Sequence, residues 1–355
     1  MTLHCFATFL SKLARITAKW AQRRLTTAVI LVFSLTIIGL IPNQAEAACS
    51  GKDLRRSLSP EARAQLAQQA AAIPYSQGNH WIASRNGQRI HIIGTQHFGD
   101  SRMHSVMRNM RPLIKAADVV FLEQTTVAME AYSKNGTRKA RDYLLPKGTT
   151  LPNLMSSEDW AALRMMAPLL DIPADIAPHL QPWVYTMHFG GSRCNVRGFT
   201  SRRGLDARIE RYAIRNKIPV GGLENPGDGV KAFSRRPLRD QVKYLKFTMR
   251  GSAENDDHLI TLRESYFDGR LAEGRLLSRQ LRFSNQGVSR REAARLINQL
   301  DRTLLDGRNK AWMPVILGRK EPVVFIAVGA AHLPGKNGLP ALLARRGYDL
   351  QRAEF

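Results

Sequence analysis

Apolar positions change period three times between residues 80 and 128. "HWIAS" and "QRIHIIG" alternate apolar and polar side chains, the period-two signature of strands, on either side of Arg85, Asn86 and Gly87. Asn-Gly is the dipeptide that a tight primed turn favours, so the pattern predicts a hairpin. "MHSVMRNMRPLIKAAD" then puts Met103, Val106, Met107, Met110 and Ile114 at helical spacing, and "VVFLEQ" is a short apolar run ending at Glu123 that reads as a buried strand. The order strand, loop, helix, strand is a βαβ unit; its loop carries His97, and its second strand delivers Glu123. The Met-rich helical face reads as core.

The far end repeats this plan. "PVVFIAV" leads to Gly329-Ala330-Ala331-His332, then "GLPALLARRG" as helix and "YDLQR" as closing strand. Both halves follow a strand with Gly-x-x-His, first as Gly94-Thr95-Gln96-His97. Between them, "RGLDARIERYAIRNK" reads as a helix feeding the strand "IPVGGLEN", with Glu224 just past its end. Upstream, "SPEARAQLAQQAAA" starts a helix on Ser59 as N-cap and Pro60 at its first position. The piece from about 129 to 197 reads as a helical insertion, with a capping box from Ser156 to Asp159 opening "SSEDWAALRMMAPLL", and about 228–320 is charge-rich and helical in pattern. No low-complexity linker interrupts the chain. The expectation is one α/β domain over 48–355: two similar βαβ-containing halves, about 80–128 and 198–355, form a central, largely parallel sheet with a helical middle.

The first 47 residues stand apart. Lys12, Arg15, Lys19, Arg23 and Arg24 precede the apolar run "TAVILVFSLTIIGLI", followed by small residues at Ala45 and Ala47. This is the pattern of an export signal with cleavage after Ala47; the alternative is an uncleaved N-terminal anchor, for which the run is short of the ~20 residues a comfortable span needs. The expected location is periplasmic or secreted. An oxidising compartment permits a bond between Cys49 and Cys194. The chain of 355 residues carries a net charge of +24, and +20 once the leader's five basic residues and Glu46 are removed. A surface so basic attracts anions, for an exported protein cell-envelope polymers or lipid headgroups; the alternative reading is a solvated basic surface without a partner. No basic stripe interleaved with aromatics and no zinc-finger spacing points to specific nucleic-acid recognition.

In open parallel sheets, ligands collect outside the carboxyl ends of the strands, and His97, Glu123, Glu224 and His332 all fall at such ends. Two imidazoles and a carboxylate with a position left for water suit a catalytic divalent-metal site, with Mn²⁺, Co²⁺ or Zn²⁺ as candidates. The glycine of each Gly-x-x-His allows either a positive φ or a close backbone approach. Glu123 reads as ligand or general base, and Glu224 as ligand, hydrogen-bond partner of a ligand, or helix cap. Asp206, Arg308 and Asn309 are candidates to orient ligands or neutralise an oxyanion. His80, His91, His104, His179, His188 and His258 lack comparable placement and read as surface or packed residues. There is no His-Glu-x-x-His, no Gly-x-Ser-x-Gly and no Gly-x-Gly-x-x-Gly after a strand. "GAAHLPGKN" departs from a phosphate loop, with five residues between its glycines and Asn337 in place of the hydroxyl.

"IHIIGTQH", "VVFLEQ", "RGLDARIE", "KIPVGGLEN", "RNKAWM" and "FIAVGAAHLPGKNGLPALLARRGYDLQR" together resemble the TraB/GumN family, related to the TIKI metalloproteases and more distantly to erythromycin-esterase and ChaN-like proteins. The resemblance runs from about Trp81 to Arg352 and is most specific in the C-terminal block. It implies a divalent-metal centre on His97, Glu123 and His332. Through the TIKI relatives it implies metal-dependent cleavage of a peptide or protein. In the mechanism these residues suggest, Glu224 or Arg308 steadies the oxyanion. Asn225-Pro226-Gly227 departs from the threonine that often follows this motif in relatives. Two rival readings remain: a non-catalytic envelope protein holding an anion, haem or polysaccharide intermediate in the same cleft, and an esterase or transferase using His97 as a base without metal.

Overall fold

The computed structural model describes residues 51–97, 99–134, 143–170, 172–189, 204–250, 255–284 and 289–355. Cys49, Cys194 and the expected export signal lie outside these residues. Six strands form one mixed sheet: β1 (His80–Arg85), β2 (Gln88–Thr95), β3 (Val119–Leu122), β4 (Val220–Gly222), β5 (Val323–Gly329) and β6 (Asp349–Arg352), in the order β4-β3-β5-β2-β1-β6. The four strands from β4 to β2 run parallel, and β1 is antiparallel to both β2 and β6. Asn86 and Gly87 take φ of 51° and 80°, the paired left-handed residues of a type I′ turn, so the expected hairpin forms.

The helices are α1 (Pro60–Ala71), α2 (Met103–Lys115), α3 (Thr126–Lys134), α4 (Ser157–Met166), α5 (Pro182–Phe189), α6 (Leu205–Arg215), α7 (Pro226–Ser234), α8 (Leu238–Arg250), α9 (Asn255–Phe267), α10 (Leu271–Ser284), α11 (Arg290–Asp301), α12 (Gly307–Leu317) and α13 (Leu339–Ala344). Ser59 Oγ accepts from Ala62 N and caps α1 as its sequence predicts. At α4 the expected capping box is half formed: Ser156 Oγ accepts from Asp159 N, but the Asp159 carboxylate bonds the Ser156 hydroxyl instead of the backbone. The strand read from "IPVGGLEN" is only three residues long, and α13 stops at Ala344.

The pattern of burial explains the sheet. Ile90, Ile92, Ile93, Val324, Phe325 and Ile326 are fully buried on β2 and β5, so the two central strands are covered on both faces. α2 lays its Met103, Val106, Met107, Met110 and Ile114 stripe into this core, packed beside α6, whose Leu205, Ile209 and Ala213 do the same. Each such side chain contributes about 1.5–3 kcal/mol when fully buried. A second apolar cluster joins Tyr143, Leu163, Leu170, Trp183 and Tyr185 to Phe233 of α7 and Leu245 of α8. The helical insertion read over about 129–197 therefore shares one core with helices of the 228–320 stretch.

Parallel pairing of β2 with β5 sets the site. Thr95 lies opposite Gly329, so the two strands end at one level and their Gly-x-x-His loops leave side by side. Both crossovers, β2-α2-β3 and β5-α13-β6, skip over intervening strands of the same sheet.

Two of the set-aside histidines form a buried pair. His80 Nδ1 donates to Glu354 O at 2.6 Å, which leaves its Nε2 to accept from His91 Nδ1 at 3.0 Å. Burial, then the neighbouring His80 and Arg89, push His91 down to about 4; burial lowers His80 too, against the pull of the Glu354 carbonyl. Both rings are neutral in the folded protein at neutral pH. A depressed folded-state pKa on a base leaves stability intact above the unfolded value near 6.5 and removes it as pH falls towards 4, here by about 3 kcal/mol for His91. Urea unfolding across that window should show the loss, and His91→Phe should flatten the profile by a comparable amount.

Candidate functional site

The site lies at the carboxyl end of the sheet, assembled from four segments. Leu205 N donates to Gln96 O at 2.9 Å, tying the loop after β2 to the start of α6. That tie brings Asp206, in the first turn of α6, within 3.4 Å of His97 Nδ1. β3 delivers Glu123. The turn after it is held by α6, whose Glu210 accepts from both the backbone N–H (2.6 Å) and the hydroxyl of Thr126. β5 runs into a short 3₁₀ turn, Ala330–His332, that points His332 inward with 3% exposure.

The fourth segment is helical. α11 passes through a π-helical stretch, Arg302–Asp306, directly into α12, and the widened turn precedes Arg308, Asn309 and Trp312. Such insertions re-aim the residues that follow them and recur at functional sites. Nothing in the apolar periodicity of this region flags it.

Three candidate residues converge on Gly329. A Cβ added there would stand 3.1 Å from Glu123 Oε1, 3.6 Å from His97 Nε2 and 3.6 Å from His332 Cδ2. Glu123 Oε1 also accepts from Gly329 N at 2.6 Å and lies 3.6 Å from His332 Nε2. The first motif's glycine serves a different closeness: a Cβ on Gly94 would meet Leu333 Cδ1 at 2.8 Å, so the two loops pack directly. Neither glycine is among the positive-φ residues, and Gly329 has φ of −51°. Of the two reasons the sequence offers for glycine, close approach applies.

Asn309 settles the tautomer of His332. Its Nδ2 donates to His332 O (3.2 Å) and Asn337 O (2.8 Å), which fixes its Oδ1 as the acceptor for His332 Nδ1–H at 2.6 Å. The Nε2 lone pair therefore faces the cleft. Burial, against Glu123 and aided by Arg308, pushes His332 down to about 4, so it is neutral at physiological pH. His97 shifts the other way, since Asp206 and Glu123 outweigh the desolvation; with 46% of its side chain exposed, water screens part of that rise. Burial favours a neutral Glu123, but the charges of His332, Arg308 and His97 and the Gly329 amide hold its carboxyl well below the usual range. His332 is itself protonated in the acid range where Glu123 titrates, which is why it acts there as a positive neighbour.

Arg308 ties the cluster together. Its Nη2 donates to Glu123 Oε2 (2.5 Å) and Glu224 Oε1 (2.7 Å), its Nε to Glu224 Oε2 (2.9 Å), and its Nη1 lies 3.3 Å from His332 Nε2. Gln124 Nε2 and Trp312 Nε1 donate to the remaining positions of Glu224, at 2.7 and 2.9 Å. Both Glu224 oxygens are thus taken up, and its side chain is 7% exposed. Sequence reasoning missed Gln124 and Trp312. Trp312 follows Arg308 by four residues, the spacing of one helix face, and this signal identifies it once Arg308 is suspected.

The residues 79–352 match the TraB/PrgY/gumN family, 274 of the chain's 355 positions. The chain belongs to that family. The TraB/PrgY/gumN match covers every element that builds the cleft. It is also similar to the "Uncharacterized protein YbaP" of Escherichia coli (strain K12), 22% identical over 276 residues that cover 75% of this chain and 94% of the relative. The protein of the same name from Shigella flexneri matches with the same identity and coverage.

The donor set can be tested against a divalent ion. Two imidazoles and a carboxylate are suitable types, and each imidazole Nδ1 faces an oxygen of the surrounding shell, Asp206 for His97 and Asn309 for His332, which orients Nε2 as metal-binding histidines require. Among the described residues, however, no three His, Cys, Asp or Glu side chains already stand at a common ligating distance. Arg308 reaches in among the donors. The residues fit such an ion in kind and orientation, with a spacing wider than bonds of about 2.0–2.2 Å require.

Removing Glu224 should leave Arg308 with Glu123 as its remaining carboxylate and strand an indole N–H. Glu224→Ala is expected to destabilise the fold by about 3 kcal/mol, the cost of breaking one partner out of a buried pair, measured as a shift in urea midpoint at unchanged slope.

Proposed function

We propose that this TraB/PrgY/gumN protein is an exported, divalent-metal-dependent hydrolase that cleaves peptide bonds. The observation that carries the reading is the meeting of His97, Glu123 and His332 around Gly329 from the ends of three parallel strands. An ion held by these three would supply a bound water of lowered pKa and polarise the scissile carbonyl.

The protein's own groups divide the remaining work. Glu123, held ionised far below neutral pH, is too weak a base to take a proton at pH 7, which favours ligand over general base for it. Arg308 is the positive charge placed to receive a developing oxyanion. Glu224, a carboxylate paired with Arg308, has no positive charge to offer an anion. Its four hydrogen bonds instead hold Arg308 and Trp312 in place, so of the two candidates for the oxyanion role Arg308 is the one favoured. Asn309 and Asp206 keep the two imidazoles in orientation. The glycine at 329 lets Glu123, His97 and His332 approach the backbone closely enough to share one ion.

Elemental analysis of the purified chain is the direct test. About one equivalent of Mn²⁺, Co²⁺ or Zn²⁺ is expected. His97→Ala and His332→Ala should lose it with unchanged far-ultraviolet circular dichroism, and Asn309→Ala should weaken it by about 10–100-fold. Stoichiometric metal retained by both histidine variants overturns the assignment. Cleavage of a peptide library should stop with chelator, and Arg308→Ala should lower kcat by about 10²–10³-fold. Chelator-insensitive turnover favours the metal-free esterase or transferase, and ligand retention without turnover favours the envelope binding protein.

A further inference from the structure

The end of the sheet opposite the cleft carries a different chemistry. Each parallel strand is entered there by a segment with an exposed cation: Arg89 opens β2, Lys115 ends α2 ahead of β3, Arg215 and Lys217 precede β4, and Lys320 precedes β5. Arg346 follows α13 on the way into β6. The registers align these entries, since Arg89 lies opposite Val323, Val119 opposite Val324 and Val120 opposite Val220. None of the six cations forms an ion pair among the described residues.

Acidic residues at this end are few and already engaged. Asp118 accepts from Val323 N at 2.9 Å, Glu321 accepts from Lys320 N at 2.9 Å and lies 3.8 Å from Arg319, and Asp349 accepts from Gln351 Nε2 at 3.2 Å. Six strands at about 4.8 Å spacing spread the cations over roughly 24 Å. Neighbours along that edge stand within about a Debye length of 8–10 Å of one another and act as one field. At its rim Ile214, on the last turn of α6, is 52% exposed beside Arg215.

We propose that this end is a docking surface for a membrane rich in anionic phospholipid, with the cations against phosphate headgroups, Ile214 at the apolar boundary, and the cleft turned away from the bilayer towards soluble substrate. Charge complementarity requires a polyanion. The exposed isoleucine among the cations selects lipid over nucleic acid or an anionic polysaccharide, because those offer no apolar layer for it. The inference is independent of the chemistry of the cleft, so its failure leaves the hydrolase reading in place.

Flotation of the full chain with vesicles tests it. Binding is expected to mixed phosphatidylcholine and phosphatidylglycerol vesicles and not to phosphatidylcholine alone, and it should weaken as salt rises. The triple variant K115E/R215E/K217E should bind at least about tenfold more weakly, and Ile214→Asp several-fold more weakly, both with unchanged thermal midpoints. The control K243E/R290E/R291E changes charge equally on the helical middle and should bind as the parent does. Binding that survives the first triple variant belongs elsewhere in the chain, and equal losses in both triple variants mean net charge alone; either result overturns the proposal. So does tighter binding to duplex DNA or heparin than to vesicles, with Ile214→Asp silent.

Discussion

The pairing of β2 with β5 is the constraint on which the site depends. These strands lie at opposite ends of the sequence yet adjacent in the sheet, and their parallel register ends both at one level, Thr95 against Gly329. Two Gly-x-x-His turns then leave the sheet side by side. A shift of one residue would turn each strand's side chains to the opposite face and separate the histidines. Ile90, Ile92, Ile93, Phe325 and Ile326 are all fully buried, so each side chain on both faces sits in a close-packed environment that a slipped strand would have to refill with side chains of different shape. The packing of Leu333 against Gly94 adds a local lock between the two loops themselves.

Given that frame, the cleft faces an electrostatic problem: Glu123 and Glu224 both stand at neighbouring strand ends with little exposure. Two poorly solvated carboxylates repel each other unless a cation lies between them, and Arg308 does. Its guanidinium is permanently charged and forked, so it can bond Glu224 along one edge while reaching Glu123 with the same nitrogen that bridges them. Lysine, a single point charge, could not span the pair in this way. Glu224 therefore serves stability and position together: it fixes the arginine that governs the charge seen by anything bound near Gly329.

Much of this was legible in the sequence. Period-two alternation around Asn-Gly located the hairpin, and the heptad-like spacing from Met103 to Ile114 located α2, because both patterns follow from burial of one face. Strand ends with His97, Glu123 and His332 pointed to one cleft, since parallel topology fixes which ends share a side. What the sequence hid depends on contacts rather than period. The π-helical turn before Arg308 leaves no hydrophobic signature, as its residues are only partly buried. The role of Glu224 was open because a carboxylate after a strand can ligate, cap or pair, and only the positions of Arg308, Gln124 and Trp312 decide among these. The partners of the helical insertion were hidden for a related reason: Phe233 and Leu245 join its core through tertiary contact alone.

The same topology that gathers the catalytic candidates also sorts the charge. In a parallel sheet every strand begins at one end and stops at the other, so residues that precede strands and residues that follow them occupy separate poles. Here the segments that follow strands carry Glu123 and Glu224, while those that precede them carry Lys115, Lys217 and Lys320. A chain with a large net positive charge therefore need not be uniformly basic around its cleft. Carboxylates are concentrated at one pole, while the cations that precede the strands lie at the other, a strand of three to eight residues away, roughly 10–26 Å at about 3.3 Å per residue. That separation lets a strongly basic protein keep an acidic centre whose local field is set by its own few partners.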